Sequence, residues 1–229
     1  LFRSVTGTHG KSTTSSLVSL ILKNSEANFF SIVGTLLKEF DGKNFYRRTP
    51  DTTSIDEYFV IEACEHKEHF LEYTPSVLVI TNVEYDHADY YINPDHYVQA
   101  FEKLIWNVVS WWFVILPTDD INAQKLVGIR EDIHYIQVSE NTFSVGDQTQ
   151  TFPDIELQVP GNHVLFDAKL AYIVGHMAGI SDEQILETLQ SYTWVWRRME
   201  IIGKTENDNT LISDYGHHPT EIQVTLEAL

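Results

Sequence analysis

Short apolar runs alternate along most of the chain with segments whose apolar residues recur at helical spacing. "LFRSV" (Leu1 to Val5) runs into a glycine-containing loop, and in the "KSTTSSLVSLILKN" that follows Leu17, Leu20 and Ile21 fall on one helical face. Strand, glycine loop and helix are predicted in that order. "YFVIEA" (Tyr58 to Ala63), "SVLVITNV" (Ser76 to Val83) and "FVILP" (Phe113 to Pro117) are continuous apolar runs, the pattern of strands buried on both faces of a parallel sheet. Between the last two lies "NPDHYVQAFEKLIWNV". There Asn93 can cap a helix, Pro94 suits its first position, and Tyr97, Phe101, Leu104, Ile105 and Val108 make an apolar stripe. Helices crossing between parallel strands define an α/β fold.

From about Arg130 to Val159 the texture changes to short alternating segments with turn residues, which predicts a small antiparallel sheet set apart from any site. Helical patterns return in "NHVLFDAKLAYIVGHMAG", closed by Gly179, and in "SDEQILETLQSY", where Ser181 and Gln184 have capping-box spacing. The pattern restarts after Trp194 to Glu200, with a last strand from Thr210, so the expected division is a domain over 1–195 and a shorter unit over 196–229. The fold expected is a mostly parallel sheet with a phosphate loop and flanking helices, plus a small antiparallel sheet.

Composition narrows the function. A net charge of −18 over 229 residues repels nucleic acid and anionic membranes. Cys64, the one cysteine, cannot form an internal disulfide, and no apolar run reaches the roughly 18 residues of a membrane span. A reducing, cytosolic compartment is expected. The chain opens with Leu1 inside a predicted strand, which suggests a piece of a longer protein.

The candidate chemistry begins at "VTGTHGKSTT" (Val5 to Thr14). In a phosphate loop, backbone N–H groups cradle phosphate oxygens, a lysine reaches the terminal phosphates and a hydroxyl holds Mg2+. Gly10, Lys11 and Ser12 fit that pattern, although Val5 stands where the first glycine is usual and Gly7 comes two residues later. A turn glycine and a surface lysine before a Ser/Thr-rich helix is the alternative. Glu62 ends one predicted buried strand and His87 lies just beyond the next, and ligands of open parallel sheets collect at the carboxyl ends of strands. A carboxylate, an imidazole and a hydroxyl there suit a divalent cation bridging protein to phosphates. Taken singly, each is an ordinary polar residue of a sheet rim.

"VTGTHGKSTT", "EACEHKEHFLEYTPSVLVITNVEYDHADYY", "RRME" and "SDYGHHPTEI", in this order and spacing, resemble the ATP-dependent Mur ligases of peptidoglycan synthesis. The likeness is nearest to the branch that adds L-alanine to UDP-N-acetylmuramate. The resemblance implies ATP and Mg2+ as cofactors, UDP-N-acetylmuramate and L-alanine as substrates, and a match to the central ATPase domain plus the opening of the amino-acid-binding domain. It carries ATP binding to Gly7, Thr8, His9, Gly10, Lys11, Ser12 and Thr13, and Mg2+ to Ser12, Glu62 and His87. Lys11, Glu62 and His87 become the catalytic set, Glu65 and Asn82 face the same cleft, and Arg198, Asp214 and His217 would meet the nucleotide. Implied is an acyl phosphate formed at the expense of ATP and then displaced by an amine, with no protein nucleophile. Cys64 is expected to be a small buried residue. Without its flanking domains the chain is expected to fold but not to ligate.

Two departures stand out. The family pattern G-x-H-N-x-x-N, whose first Asn contacts adenine, reads "GNHVLFD" here, with Val164 and Asp167 in the Asn places. Related ligases also use a carbamylated lysine, and only Lys103 follows His87 on the next helix, so none is assigned. A recycling ligase that adds a tripeptide to the same sugar, and a non-catalytic scaffold of the same fold, are the alternatives.

Overall fold

The computed structural model describes residues 1–48, 57–193 and 196–229. Among these residues nine strands form one sheet: β1 (Phe2–Thr6), β2 (Asn28–Leu37), β3 (Lys43–Arg47), β4 (Glu57–Glu62), β5 (Val77–Ile80), β6 (Phe113–Pro117), β7 (His134–Val138), β8 (Thr142–Val145) and β9 (Gln148–Thr151). Their order is β3-β2-β4-β1-β5-β6-β7-β8-β9. The pairs from β2 to β7 are parallel, and β3, β8 and β9 add antiparallel edges. The central strands follow the predicted apolar runs because they are covered on both faces.

One face packs against α1 (Lys11–Asn24), α4 (Asn162–Met177) and α5 (Asp182–Ser191), with Leu17, Ile21, Leu170 and Ile185 inside that core. The other packs against α2 (Pro94–Trp106), whose Tyr97, Phe101, Leu104 and Ile105 are buried over β5 and β6. Fully burying each of these large side chains contributes about 1.5–3 kcal/mol. The Asn93 side chain accepts from His96 N at 2.8 Å and Pro94 opens α2, as expected. The Ser181 hydroxyl accepts from Gln184 N at 3.4 Å at the start of α5.

The antiparallel segment expected between Arg130 and Val159 is present, but it is continuous with the main sheet. Strand β7 pairs in parallel with β6, from Phe113 opposite His134 to Pro117 opposite Val138, so β8 and β9 extend the same edge. The separate two-stranded antiparallel sheet is β10 (Glu200–Lys204) with β11 (Thr210–Ser213), followed by α6 (Pro219–Glu227). Between β6 and β7 lies one short turn of helix, α3 (Ile121–Gln124). Trp194 and Val195, at the boundary expected from the sequence, lie outside the described residues. Among the described residues no helix is long and apolar enough to cross a membrane.

Candidate nucleotide and metal site

Strand β1 lies between β4 and β5, with Val5 opposite Glu62 and Thr6 opposite Ile80. The loops that follow these three strands therefore share one edge of the sheet, where open parallel sheets place their ligands. Gly10 is left-handed at φ 76°, and a Cβ there would lie 2.4 Å from Asp167 Oδ1. A Cβ on Gly7 would lie 2.1 Å from Thr81 Oγ1, so only glycine lets the loop run this close to the next strand. Asn82 Oδ1 accepts from Thr8 N at 3.1 Å and His9 N at 2.9 Å, which fixes the crest of the loop. Among the described residues no side chain caps α1, and its first turn carries no acidic residue. Its leading N–H groups and dipole are thus open to an anion.

Lys11 turns back across the loop, donating to Gly7 O at 2.6 Å, Thr8 O at 2.9 Å and Glu65 Oε1 at 3.0 Å. Glu65 is 1% exposed, and its Oε1 also lies 3.2 Å from His87 Nε2. Burial alone would raise the Glu65 carboxyl, but Lys11 and His87 outweigh it and hold it below the usual range. In return the hydrogen bond to Glu65 raises the His87 imidazole, against partial burial. Ser12 Oγ donates to Glu62 Oε1 at 2.9 Å, and Ser15 Oγ and Gly34 N donate to Glu62 Oε2 at 3.2 and 2.5 Å. The expected trio of Ser12, Glu62 and His87 is thus arranged as two pairs, Ser12 with Glu62 and His87 with Glu65.

A cleft of about 400 Å³ opens on the other side of the loop. His9, Gly10, Thr13, Arg198 and Asp214 line it, together with both departures from the family pattern, Val164 and Asp167. Lys11, Ser12, Glu62, His87, Gly7, Thr8 and His217 do not line it. Asp214 accepts from Met199 N at 2.8 Å and Gly216 N at 2.6 Å, tying the two ends of the β10–β11 unit together. The His217 side chain is 60% exposed and stands 4.0 Å from Asp86. Burial pushes the Asp167 carboxyl up to about 8, so it is neutral at pH 7.

Cys64 is exposed, contrary to the expectation of a buried residue, because it follows β4 into the carboxyl-edge loops. Desolvation and the Glu65 charge raise its thiol, which disfavours the thiolate. Lys103 sits on the exposed side of α2 and bonds Glu68 Oε1 at 2.7 Å. Sequence reasoning did not find that Glu65 joins Lys11 to His87, nor that His9 contacts Glu84 and Glu221. The acidic residues were visible, but no local pattern names their partners.

The family model of the Mur ligase middle domain matches residues 5–177. The chain belongs to the Mur ligase family. As a Mur ligase middle domain it is 33% identical to UDP-N-acetylmuramate--L-alanine ligase of Acetivibrio thermocellus, over 98% of the chain and 50% of that protein. The solved UDP-N-acetylmuramate-alanine ligase MurC of Thermotoga maritima superposes with a TM-score of 0.76 at 25% identity, covering 99% of this chain and 53% of that one. A murein peptide ligase from Psychrobacter arcticus shares the fold, with a TM-score of 0.71 at 22% identity over 99% of this chain and 54% of that one. The chain spans about half the length of the curated relatives it matches.

Proposed function

We propose that the protein carries the ATPase core of a cytoplasmic, ATP-dependent ligase that joins L-alanine to UDP-N-acetylmuramate in peptidoglycan synthesis. The observation that carries this reading is the glycine loop between β1 and α1. It sets Lys11 at an uncapped helix N-terminus, beside a cleft that Gly10, Arg198 and Asp214 line. In this reading residues 1–195 are the central ATP-binding domain, and 196–229 are the hinge and the opening of the amino-acid domain. The 33% identity to alanine-adding relatives favours alanine over a peptide as the incoming amine.

A lactyl carboxylate oxygen of the sugar attacks the γ-phosphorus, forming an acyl phosphate as the bond to the β,γ-bridging oxygen breaks and ADP leaves. The alanine amine then attacks the acyl carbon, phosphate departs, and the amine proton passes to solvent. The α1 N–H groups and Lys11, released from the loop carbonyls, hold and neutralise the transferring phosphoryl group. Arg198 and Asp214 orient the nucleotide, and ordering of the reactants supplies much of the rate. Mg2+ fits the donor set, since the Ser12 hydroxyl and Glu62 carboxylate are oxygen donors 2.9 Å apart beside the loop, with His87 the third candidate ligand. When bound, it would neutralise phosphate charge.

Lys11→Ala in the full-length protein is expected to abolish ATP-dependent amide formation while the far-ultraviolet circular dichroism is unchanged. Near-normal turnover would overturn the reading.

A further inference from the structure

The His9 imidazole, at the crest of the phosphate loop, sits between two carboxylates. Its Nε2 is 2.8 Å from Glu84 Oε2 and its Nδ1 is 3.1 Å from Glu221 Oε1, with the side chain 14% exposed. The Nδ1 contact meets no hydrogen-bond geometry and is an ion pair when the ring is protonated. A neutral imidazole has one N–H and one lone pair, so in this setting one nitrogen would present its lone pair to a carboxylate oxygen. A ring protonated on both nitrogens instead presents an N–H toward each carboxylate.

The two carboxylates come from different parts of the chain. Glu84 follows β5, whereas Glu221 is in the first turn of α6 and also accepts from His217 N at 3.0 Å and His218 N at 3.3 Å. Thr220 Oγ1 donates to Glu84 Oε1 at 2.7 Å, and the His218 ring centre is 4.7 Å from that of His9. Glu84, Glu221 and His218 are the titratable groups that face the His9 ring from the elements packed against it. His9, Glu84, Thr220 and Glu221 also line the cleft.

We propose that His9 is a positioning residue, an imidazolium clamped between Glu84 and Glu221 that fastens the 196–229 unit to the phosphate loop and holds the cleft closed. This assigns the ring to joining two parts of the protein rather than to contacting nucleotide. The charge balance gives the clamp a pH window. Burial opposes the charged ring, but Glu221 and Glu84 outweigh it, so the His9 value is raised above 6.5. Burial likewise opposes the Glu221 carboxylate, yet His9 and the backbone N–H groups of His217 and His218 hold it to about 2. The His9 contribution is complete below 6.5 and lost as pH rises through its raised value. That of Glu221 is present above its ordinary 4.5 and lost only as pH falls toward 2. Closure is strongest between those limits.

The clamp stands on geometry, and its effect on rate rests on the proposed ligase reaction. Imidazole nitrogen NMR of the nucleotide-free chain tests the clamp alone. His9 is expected to titrate with a midpoint above that of an ordinary histidine, because both carboxylates favour the charged ring. Glu221→Gln is expected to lower that midpoint and, at the same pH, to speed chymotryptic cleavage within 215–226 on the order of tenfold. His9→Gln is expected to speed cleavage similarly, which keeps the test valid if one variant misfolds. A singly protonated His9 with an ordinary midpoint, or cleavage unchanged in both variants, would overturn the proposal. A raised midpoint in a protein that fails to bind Mg-ATP would uphold the clamp and reject the ligase reading instead.

Discussion

Asp167→Asn replaces a buried carboxyl with a neutral group of the same shape, and it is expected to stabilise the protein increasingly as pH rises. Asp167 is 5% exposed, its carboxyl lies against Gly10, and burial moves it from an ordinary 3.8 to about 8. Each pH unit between those values costs the folded state about 1.4 kcal/mol, because the unfolded chain gives up the proton and the folded one keeps it. The sign is that of an acid with a raised value: stability is full below 3.8 and declines as pH rises toward 8. The whole interval corresponds to about 5–6 kcal/mol at most, and relaxation of the buried site reduces it to a few kcal/mol. Asparagine does not titrate and escapes that loss. Urea unfolding of both proteins at pH 5 and pH 8 measures the effect. The advantage of Asp167→Asn is expected to grow by about 2–4 kcal/mol between the two conditions. Parallel stability curves would show that Asp167 is charged in the fold and that its surroundings have been misread.

Two further predictions concern the walls of the cleft. Gly10→Ala is expected to destabilise the fold by about 1–3 kcal/mol and to weaken Mg-ATP binding, because the residue is left-handed and its Cβ would meet Asp167; unchanged thermal unfolding and affinity would refute this. With Val164 lining the cleft where the family pattern has an amide, ATP and GTP are expected to bind within about tenfold of each other. Strong discrimination in calorimetry would assign base recognition to another group, and Asn162 does not line the cleft.

Local pattern made much of this protein legible. Strands β1, β4, β5 and β6 are short runs buried on both faces, α2 is a capped amphipathic helix, and Gly10, Lys11 and Ser12 form a compact motif whose chemistry lies within a few residues. The edge was harder to see. In β3 the residues Lys43, Asn44, Phe45 and Arg47 are exposed, so no apolar run marks it, and β2 alternates buried and exposed positions around Gly34. Nor does the alternating pattern after Arg130 say whether its strands stand alone or extend a larger sheet. Only the parallel pairing of β6 with β7 decides that.

The site divides in the same way. Lys11, Ser12, Glu62 and His87 could be named from residue type and position along the chain, whereas their pairing could not. Lys11 and His87 share Glu65, Glu62 takes the hydroxyls of Ser12 and Ser15, and His9 reaches Glu84 and Glu221 across the cleft. Hydrophobic periodicity reports which face of an element is buried, because burial acts on each residue within its own turn or strand. The choice of partner for a charge depends on strand order, which carries β4, β1 and β5 side by side, and on the docking of α6 against the loops after β1 and β5, both set by packing among segments distant in sequence.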